Sequence, residues 1–308
     1  MWYLGIDTSN YTTSAALYNS ETDEVVSVKR LLPVSPGEAG LRQSDAVFAH
    51  VKQLPAVMDE LFSRRDVRPA AVCASAFPRR TEGSYMPAFL VGNGTASVAA
   101  RALGVKKFEC SHQEGHVVAA LHSAGVMEWM KEEFFAFHVS GGTTECLLVK
   151  PEGDFFRTEL IAKTLDLNAG QLIDRAGVLL SLPFPCGMRM DELSRDSDQI
   201  FRPKPAFHGL DCHFSGAQNQ CEELLRNGAE PEDAARFVIE YVFAAIDKMT
   251  ALVMERYGEK KLLYAGGVMS NSLIRERLTE KYGGHFASPE FSSDNASGPA
   301  IIAAGMDR

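Results

Sequence analysis

His112 and His116, in the run HQEGH, stand four residues apart. On a helix that spacing puts both imidazoles on one face, within reach of one metal ion. A purely structural pair has the same spacing, so a metal site needs a third ligand from elsewhere. Ser293-Asp294-Asn295, just before the last expected helix, offers Asp294. Zinc proteases share the histidine spacing but carry a glutamate directly after the first histidine. Glu114 comes two residues on, about 200° around a helix of 3.6 residues per turn. That is a poor position for activating a metal-bound water, and a peptidase mechanism is disfavoured.

Three glycine turns are the next chemistry-bearing feature. Gly5-Ile-Asp-Thr-Ser-Asn10 and Val139-Ser-Gly-Gly-Thr-Thr144 each follow an apolar strand. Glycine and small hydroxyl residues there leave backbone N–H groups open to an anion. Most such turns only reverse the chain, but two at the heads of two similar blocks suit phosphate. Ala265-Gly-Gly-Val-Met-Ser-Asn271 runs from a strand into a helix; Gly266 and Gly267 allow close approach of a ligand, and Ser270 or Asn271 can cap the helix. Asp166, Asp174 and Asp191 lie in or beside helical stretches, and Asp174, flanked by apolar residues, would suit ribose hydroxyls. Arg64, Arg65, Arg68, Arg79, Arg80, Lys106 and Lys107 form the local basic clusters, with Arg79 and Arg80 the best candidates for RNA contact.

The elements that must position these residues follow from periodicity. WYLGID, TTSAALY and EVVSVK read as an antiparallel meander. A helix is expected over Ser44–Arg65 with Pro55 inside it, then strand AVCASA, a helix over Thr95–Leu103 and a strand ending near Cys110. The order then repeats: FFAFHVS, TECLLV and DFFRTELIA as strands, helices near Asn168–Leu180, Ser215–Arg226 and Ala234–Tyr257, strand KLLYAG, helix SNSLIRERL, strand HFAS and a closing helix from about Ala296. Two α/β blocks of the same order imply two domains with a ligand cleft between them. The expected division is 1–108 plus 296–308 against 109–295.

At 308 residues the chain can bury two cores. No apolar run is long enough to span a bilayer, so no membrane role is expected. The start, MWYLGIDTSNYTTS, lacks the pattern of a secretory leader. The six cysteines show no C-x-x-C pair, which suits free thiols in the cytoplasm. A net charge of −9 argues against broad, non-specific nucleic-acid binding.

HQEGH, HVSGG, NAGQLIDRAG, HFSG, YAGGVMSN and FSSDNAS occur in the order found in the universal tRNA threonylcarbamoyladenosine synthase family, once labelled glycoproteases or O-sialoglycoprotein endopeptidases. The sequence resembles that family over nearly its whole length. The resemblance implies a duplicated actin-like ATPase fold and transfer of a threonylcarbamoyl group from an adenylate donor to N6 of the adenosine 3′ of the tRNA anticodon. It also implies an iron or zinc ion on His112, His116 and Asp294. ATP, ADP or the adenylate would contact His138, Val139, Ser140, Gly141, Gly142, Asp174, Gly187 and Asn271. A same-fold heterodimer partner and a small ATPase come with the family, beside tRNA.

Departures from the family pattern fall in the transfer machinery. The usual GIETSCDET reads GIDTSNYTT, so Tyr11 and Thr12 replace two acidic residues in the loop lined by Asp7 and Ser9. SGGHT becomes SGGTT, with Thr143 for histidine. The metal and nucleotide positions are spared, as in a divergent bacterial paralogue. The competing reading is a paralogue that binds metal and nucleotide but has a regulatory or partner-binding role, or acts on a different amine.

Overall fold

The structure is a computed structural model and describes residues 1–9, 11–33, 41–292 and 295–307. β1 (Trp2–Asp7), β2 (Thr12–Asn19) and β3 (Glu24–Leu31) form the expected antiparallel meander. After α1 (Gln43–Arg64) come β4 (Ala71–Phe77), α2 (Phe89–Leu103), β5 (Lys106–Ser111) and α3 (His112–Ser123). β4 and β5 run parallel to β1, giving the sheet order β3-β2-β1-β4-β5.

β2 is buried along most of its length because both sheet faces are covered. Ala15 and Leu17 pack with Leu54, Val57 and Leu61 of α1, while Ala16, between them, packs with Ala296 and Ala300 at the closing helix. Strict alternation of polar and apolar residues is therefore absent from this strand.

The second block repeats the plan. β6 (Phe134–Val139), β7 (Thr144–Glu152) and β8 (Phe155–Lys163) are an antiparallel meander. α4 (Ala169–Leu179), α5 (Gly187–Arg195), β9 (Phe207–His208), β10 (Asp211–Cys212), α6 (Ser215–Arg226) and α7 (Pro231–Tyr257) follow. β11 (Lys261–Ala265), α8 (Ser272–Tyr282) and β12 (His285–Phe286) precede α9 (Ser297–Met306). The order β12-β11-β6-β7-β8, with β11 parallel to both β6 and β12, is the first sheet's order read from its other end. The duplication expected from block order is present in the sheets.

Two compact units result: Met1–Met127 with Ser293–Arg308, and Glu128–Ser292. The break expected near Glu109 falls inside the first unit instead. α3 contacts β4, β5 and α9, so His112 and His116 belong to the first unit and not the second.

Three local expectations differ from the structure. α2 begins at Phe89, not Thr95: Gly92 and Gly94 weaken its helical signal, but the buried Thr8 hydroxyl donates to Ala88 O at 2.8 Å and accepts from Gly92 N at 2.9 Å. α7 starts at Pro231, where a missing N–H costs nothing at the first turn. α5 was not expected at all, being short and without a side-chain cap of its own.

Gly5 is where β1 and α9 meet. A Cβ there would collide with the Ala296 carbonyl and stand 2.5 Å from Ala300 N. Gly94, on the exposed side of α2, has nothing within 4 Å. Gly5→Ala is expected to destabilise the chain by about 3 kcal/mol in urea unfolding. Gly94→Ala should stabilise it by about 0.5–1 kcal/mol.

Candidate functional site

The first unit gathers one group of polar side chains at the carboxyl ends of its parallel strands. Asp7 ends β1, Ser75 lies near the end of β4, and His112 opens α3 directly after β5. Asp7 is 1% exposed. Its Oδ2 accepts from Ser75 Oγ at 2.6 Å and lies 3.0 Å from His112 Nδ1. Its Oδ1 accepts from the Ser9 backbone N–H at 2.7 Å and from the Ser9 hydroxyl. Burial pushes the Asp7 carboxyl up; the His112 charge and the bonds from His112, Ser75 and Ser9 more than reverse this, leaving it below the ordinary value.

These contacts fix the histidine tautomer. Asp7 only accepts, and the Ser9 hydroxyl spends its proton on Asp7, so the proton facing them sits on His112 Nδ1. In the neutral ring the lone pair is then on Nε2, which lies 2.9 Å from His116 Nε2. Two ring nitrogens that close share either a proton or a cation. A carboxylate behind a histidine with its far nitrogen presented outward is the usual support for a metal ligand.

α3 is started by a capping box: Ser111 Oγ accepts from Glu114 N at 3.1 Å, and Glu114 accepts from Ser111 N at 2.7 Å. Glu114 is fully buried and also holds Arg80 at 2.6 and 3.0 Å. This turns the acid away from the histidine pair, as its spacing predicted. A Cβ on Gly298 would stand 2.6 Å from Gly115 C, so the start of α9 lies directly against the HQEGH helix. Asp294 is outside the described residues; its neighbour Asn295 is buried and accepts from Ser297 N at 2.9 Å. Among the described residues, no three His, Cys, Asp or Glu side chains converge as a metal set.

Tyr11 is 43% exposed and Thr12 is buried at the start of β2. Among the described residues, neither makes a side-chain bond to the histidines. Asp7 and Ser9 are the residues of this loop that the described structure places against His112.

The second unit gathers the other predicted residues, again at strand carboxyl ends and helix starts. Gly266, at φ +99°, packs on Val139, where a Cβ would stand 2.9 Å from the Val139 nitrogen; this brings the β6 and β11 turns side by side. Gly170 N donates to Ser140 O at 3.1 Å and Ala169 N to Thr144 Oγ1 at 2.9 Å, which seats the start of α4 on the Ser140–Thr144 turn. Gly142 N and Thr143 N donate to Ser140 Oγ at 3.3 and 3.1 Å. Gly141, Gly142, Gly187 and Gly267 have open space where a Cβ would stand. His138 occupies β6 one residue before Val139.

Asn271 caps α8, its Oδ1 accepting from Ile274 N at 3.1 Å. The amide is 7% exposed, and its Nδ2 is buried with no partner among the described residues. Ser270 Oγ is likewise buried and unpartnered. Leaving such buried polar groups unmade is costly. Asp174 accepts from Cys186 N at 2.8 Å; burial pushes its carboxyl up against that bond.

This combination of sites has known relatives. A model of the tRNA N6-adenosine threonylcarbamoyltransferase (TsaD) family matches residues 36–300. The chain belongs to this family. It is 29% identical over 300 residues to the tRNA N6-adenosine threonylcarbamoyltransferase of Bacillus licheniformis, covering 92% of this chain and 83% of that one. The Thermus thermophilus protein of the same name is also 29% identical, with 98% and 92% covered. Among solved structures, component A of (R)-2-hydroxyglutaryl-CoA dehydratase from Acidaminococcus fermentans superposes with a TM-score of 0.57 at 16% identity, covering 98% of this chain and 97% of its own. A ROK hexokinase from Thermus thermophilus gives 0.53 at 14%, covering 99% and 98%. These likenesses show the duplicated actin-like ATPase fold. The family is one of transferases.

Two of the three aspartates singled out by sequence are structural in this family member. Asp191 accepts from Ser272 N and Oγ at 3.1 and 2.9 Å, joining α5 to the start of α8. Asp166 accepts from Phe214 N at 2.8 Å and from Ser215 Oγ at 2.6 Å, holding the start of α6. The basic clusters are also occupied: Arg64 pairs with Glu60, Arg65 with Glu24, Lys106 with Asp307 and Lys107 with Glu109. Arg68 donates to Leu103 O, and Arg80, on Glu114 and over the Phe77 ring, is no free phosphate contact.

Burial raises the Asp166 carboxyl, but the backbone and hydroxyl donors outweigh it and bring it down from 3.8 to about 2. A depressed carboxylate stabilises the fold above its unfolded value and loses that contribution as pH falls toward its folded value. Asp166→Asn is therefore expected to cost about 1–2 kcal/mol near neutral pH, discounted for partial exposure. The gap to the unmutated chain should close between pH 3.8 and about 2, measured by urea unfolding at each pH.

Proposed function

We propose that this chain transfers a threonylcarbamoyl group from an adenylate donor to N6 of the adenosine 3′ of the tRNA anticodon, using one divalent metal, iron or zinc. The observation that carries the reading is the Asp7–His112–His116 arrangement. One imidazole is held by a buried carboxylate on its Nδ1 side, so that its Nε2 faces the other imidazole at 2.9 Å. His112, His116 and Asp294 would hold the ion; two imidazoles and a carboxylate suit iron or zinc. The contact of Gly298 with Gly115, four residues beyond Asp294, supports that third ligand. When bound, the metal would supply Lewis-acid stabilisation of a donor oxygen.

The second unit would bind the adenylate. The unpartnered Asn271 amide would donate to a ligand oxygen. Asp174 would accept from ribose hydroxyls, beside Gly187. The open glycines of the 138–142 and 266–267 turns would let phosphate approach the starts of α4 and α8. The N6 amine then attacks the carbamoyl carbon, the bond to the adenylate oxygen breaks, AMP leaves with the electron pair, and the proton lost from the amine passes to water. With Tyr11 exposed and Thr12 buried, the chain relies on positioning and charge stabilisation rather than an acidic base in the first loop. Six buried free thiols support action in the cytoplasm. No helix among the described residues is long and apolar enough to cross a membrane. A same-fold partner and a small ATPase belong to this reading on family likeness alone.

Purified chain mixed with tRNA, threonine, bicarbonate, ATP and a donor-forming enzyme should give the modified nucleoside by mass spectrometry. His112→Ala should abolish it. Unmutated protein that binds metal and nucleotide yet makes no product would sink the reading. Asp7→Asn keeps the side-chain volume but removes the charge behind His112. It should weaken metal affinity about 10–100-fold, read by competition with a chelating dye.

A further inference from the structure

A groove of about 420 Å3 in the second unit is used by neither site above. Its lining includes Phe201 and Arg202 from the stretch before α6, Arg236, Glu240 and Phe243 of α7, and Arg277 of α8. The charge arrangement is uneven. Glu240 is 5% exposed and is held by two guanidiniums at once. Arg277 Nη2 reaches Oε1 at 2.9 Å while its Nη1 bonds Oε2, and Arg236 Nε reaches Oε1 at 2.9 Å. Arg277 also lies 5.0 Å over the Phe243 ring, and Arg236 Nη1 donates weakly to Ser194 O at 3.4 Å.

Two guanidiniums sharing one carboxylate are fixed in place but not neutralised. Arg202, which is exposed, makes no hydrogen bond or ion pair among the described residues. The groove therefore carries an excess of two positive charges in a chain whose net charge is −9. The basic clusters suggested by sequence are, by contrast, largely paired with carboxylates. A planar guanidinium that is already immobilised loses little entropy on binding a tetrahedral oxyanion.

We propose that this groove binds a phosphate group, with Arg202 closing on it and Glu240 acting as the positioning residue for Arg236 and Arg277. The phosphate belongs either to an RNA backbone or to a small phosphorylated ligand. The proposal does not depend on the transfer chemistry, because no groove residue belongs to the metal or nucleotide site.

The test uses the full chain and Arg202→Ala, which breaks no hydrogen bond or ion pair of the described residues and should leave the fold intact. Arg226→Ala, at the end of α6 and outside the groove, is the charge-matched control. Binding of a fluorescent unmodified tRNA transcript is followed by anisotropy over a salt series, and binding of inorganic phosphate by calorimetry. Arg202→Ala should weaken at least one of them threefold or more, while Arg226→Ala changes neither. Loss in the tRNA arm, with a salt slope lower by about one, assigns the phosphate to RNA. Loss confined to inorganic phosphate assigns it to a small ligand. Unchanged binding of both probes to Arg202→Ala, or equal loss in the two variants, overturns the proposal.

Discussion

The Asp7 carboxylate lies at the carboxyl end of β1, almost out of reach of water, and much of the first unit's local structure follows from keeping it charged there. A buried carboxylate without partners would cost several kcal/mol or take up a proton. Ser9, Ser75 and His112 come from three separate stretches of chain, and each supplies a donor to it. His112 can serve only because α3 starts where it does, and the Ser111–Glu114 capping box sets that start. Glu114 is in turn neutralised by Arg80. The acid that orients the histidine and the acid that starts its helix are thus different residues, each with its own cation or donors.

The two units solve related problems with the same strand order. In both, polar side chains and glycine turns collect where parallel strands end and helices begin, the common position for ligands in α/β sheets. The first unit places a carboxylate–histidine pair there. The second places open glycines, a capping asparagine with an unused amide, and Asp174. A proton-tight cluster and an unsatisfied donor set are different preparations. In the proposed reading one would present a lone pair to a cation, and the other N–H groups to an anion.

The unexpected α5 ties these parts of the second unit together. Its Asp191 holds the start of α8, where Asn271 sits, and Asp174 of α4 caps the backbone at Cys186, just before α5 begins. Asp166 and Asp191, two of the three aspartates singled out in the sequence, are spent on helix starts. Their short side chains hydrogen-bond nearby N–H groups as readily as a ligand.

The sequence by itself determined the duplicated block order, nearly every strand, the histidine pair and its helix, because these depend on periodicity and spacing over a few residues. It also carried the family, through short motifs in a fixed order. Only the tertiary structure showed that Asp7 stands behind His112, since 105 positions of chain separate them and no local pattern links them. The same holds for the Arg236–Glu240–Arg277 arrangement, of which only the first pair shares a helix. It also placed α3 with the first unit, because which core a helix joins depends on packing against β4, β5 and α9 rather than on its own residues. Local chemistry is written in neighbouring residues; the partner of a buried charge is chosen by the fold.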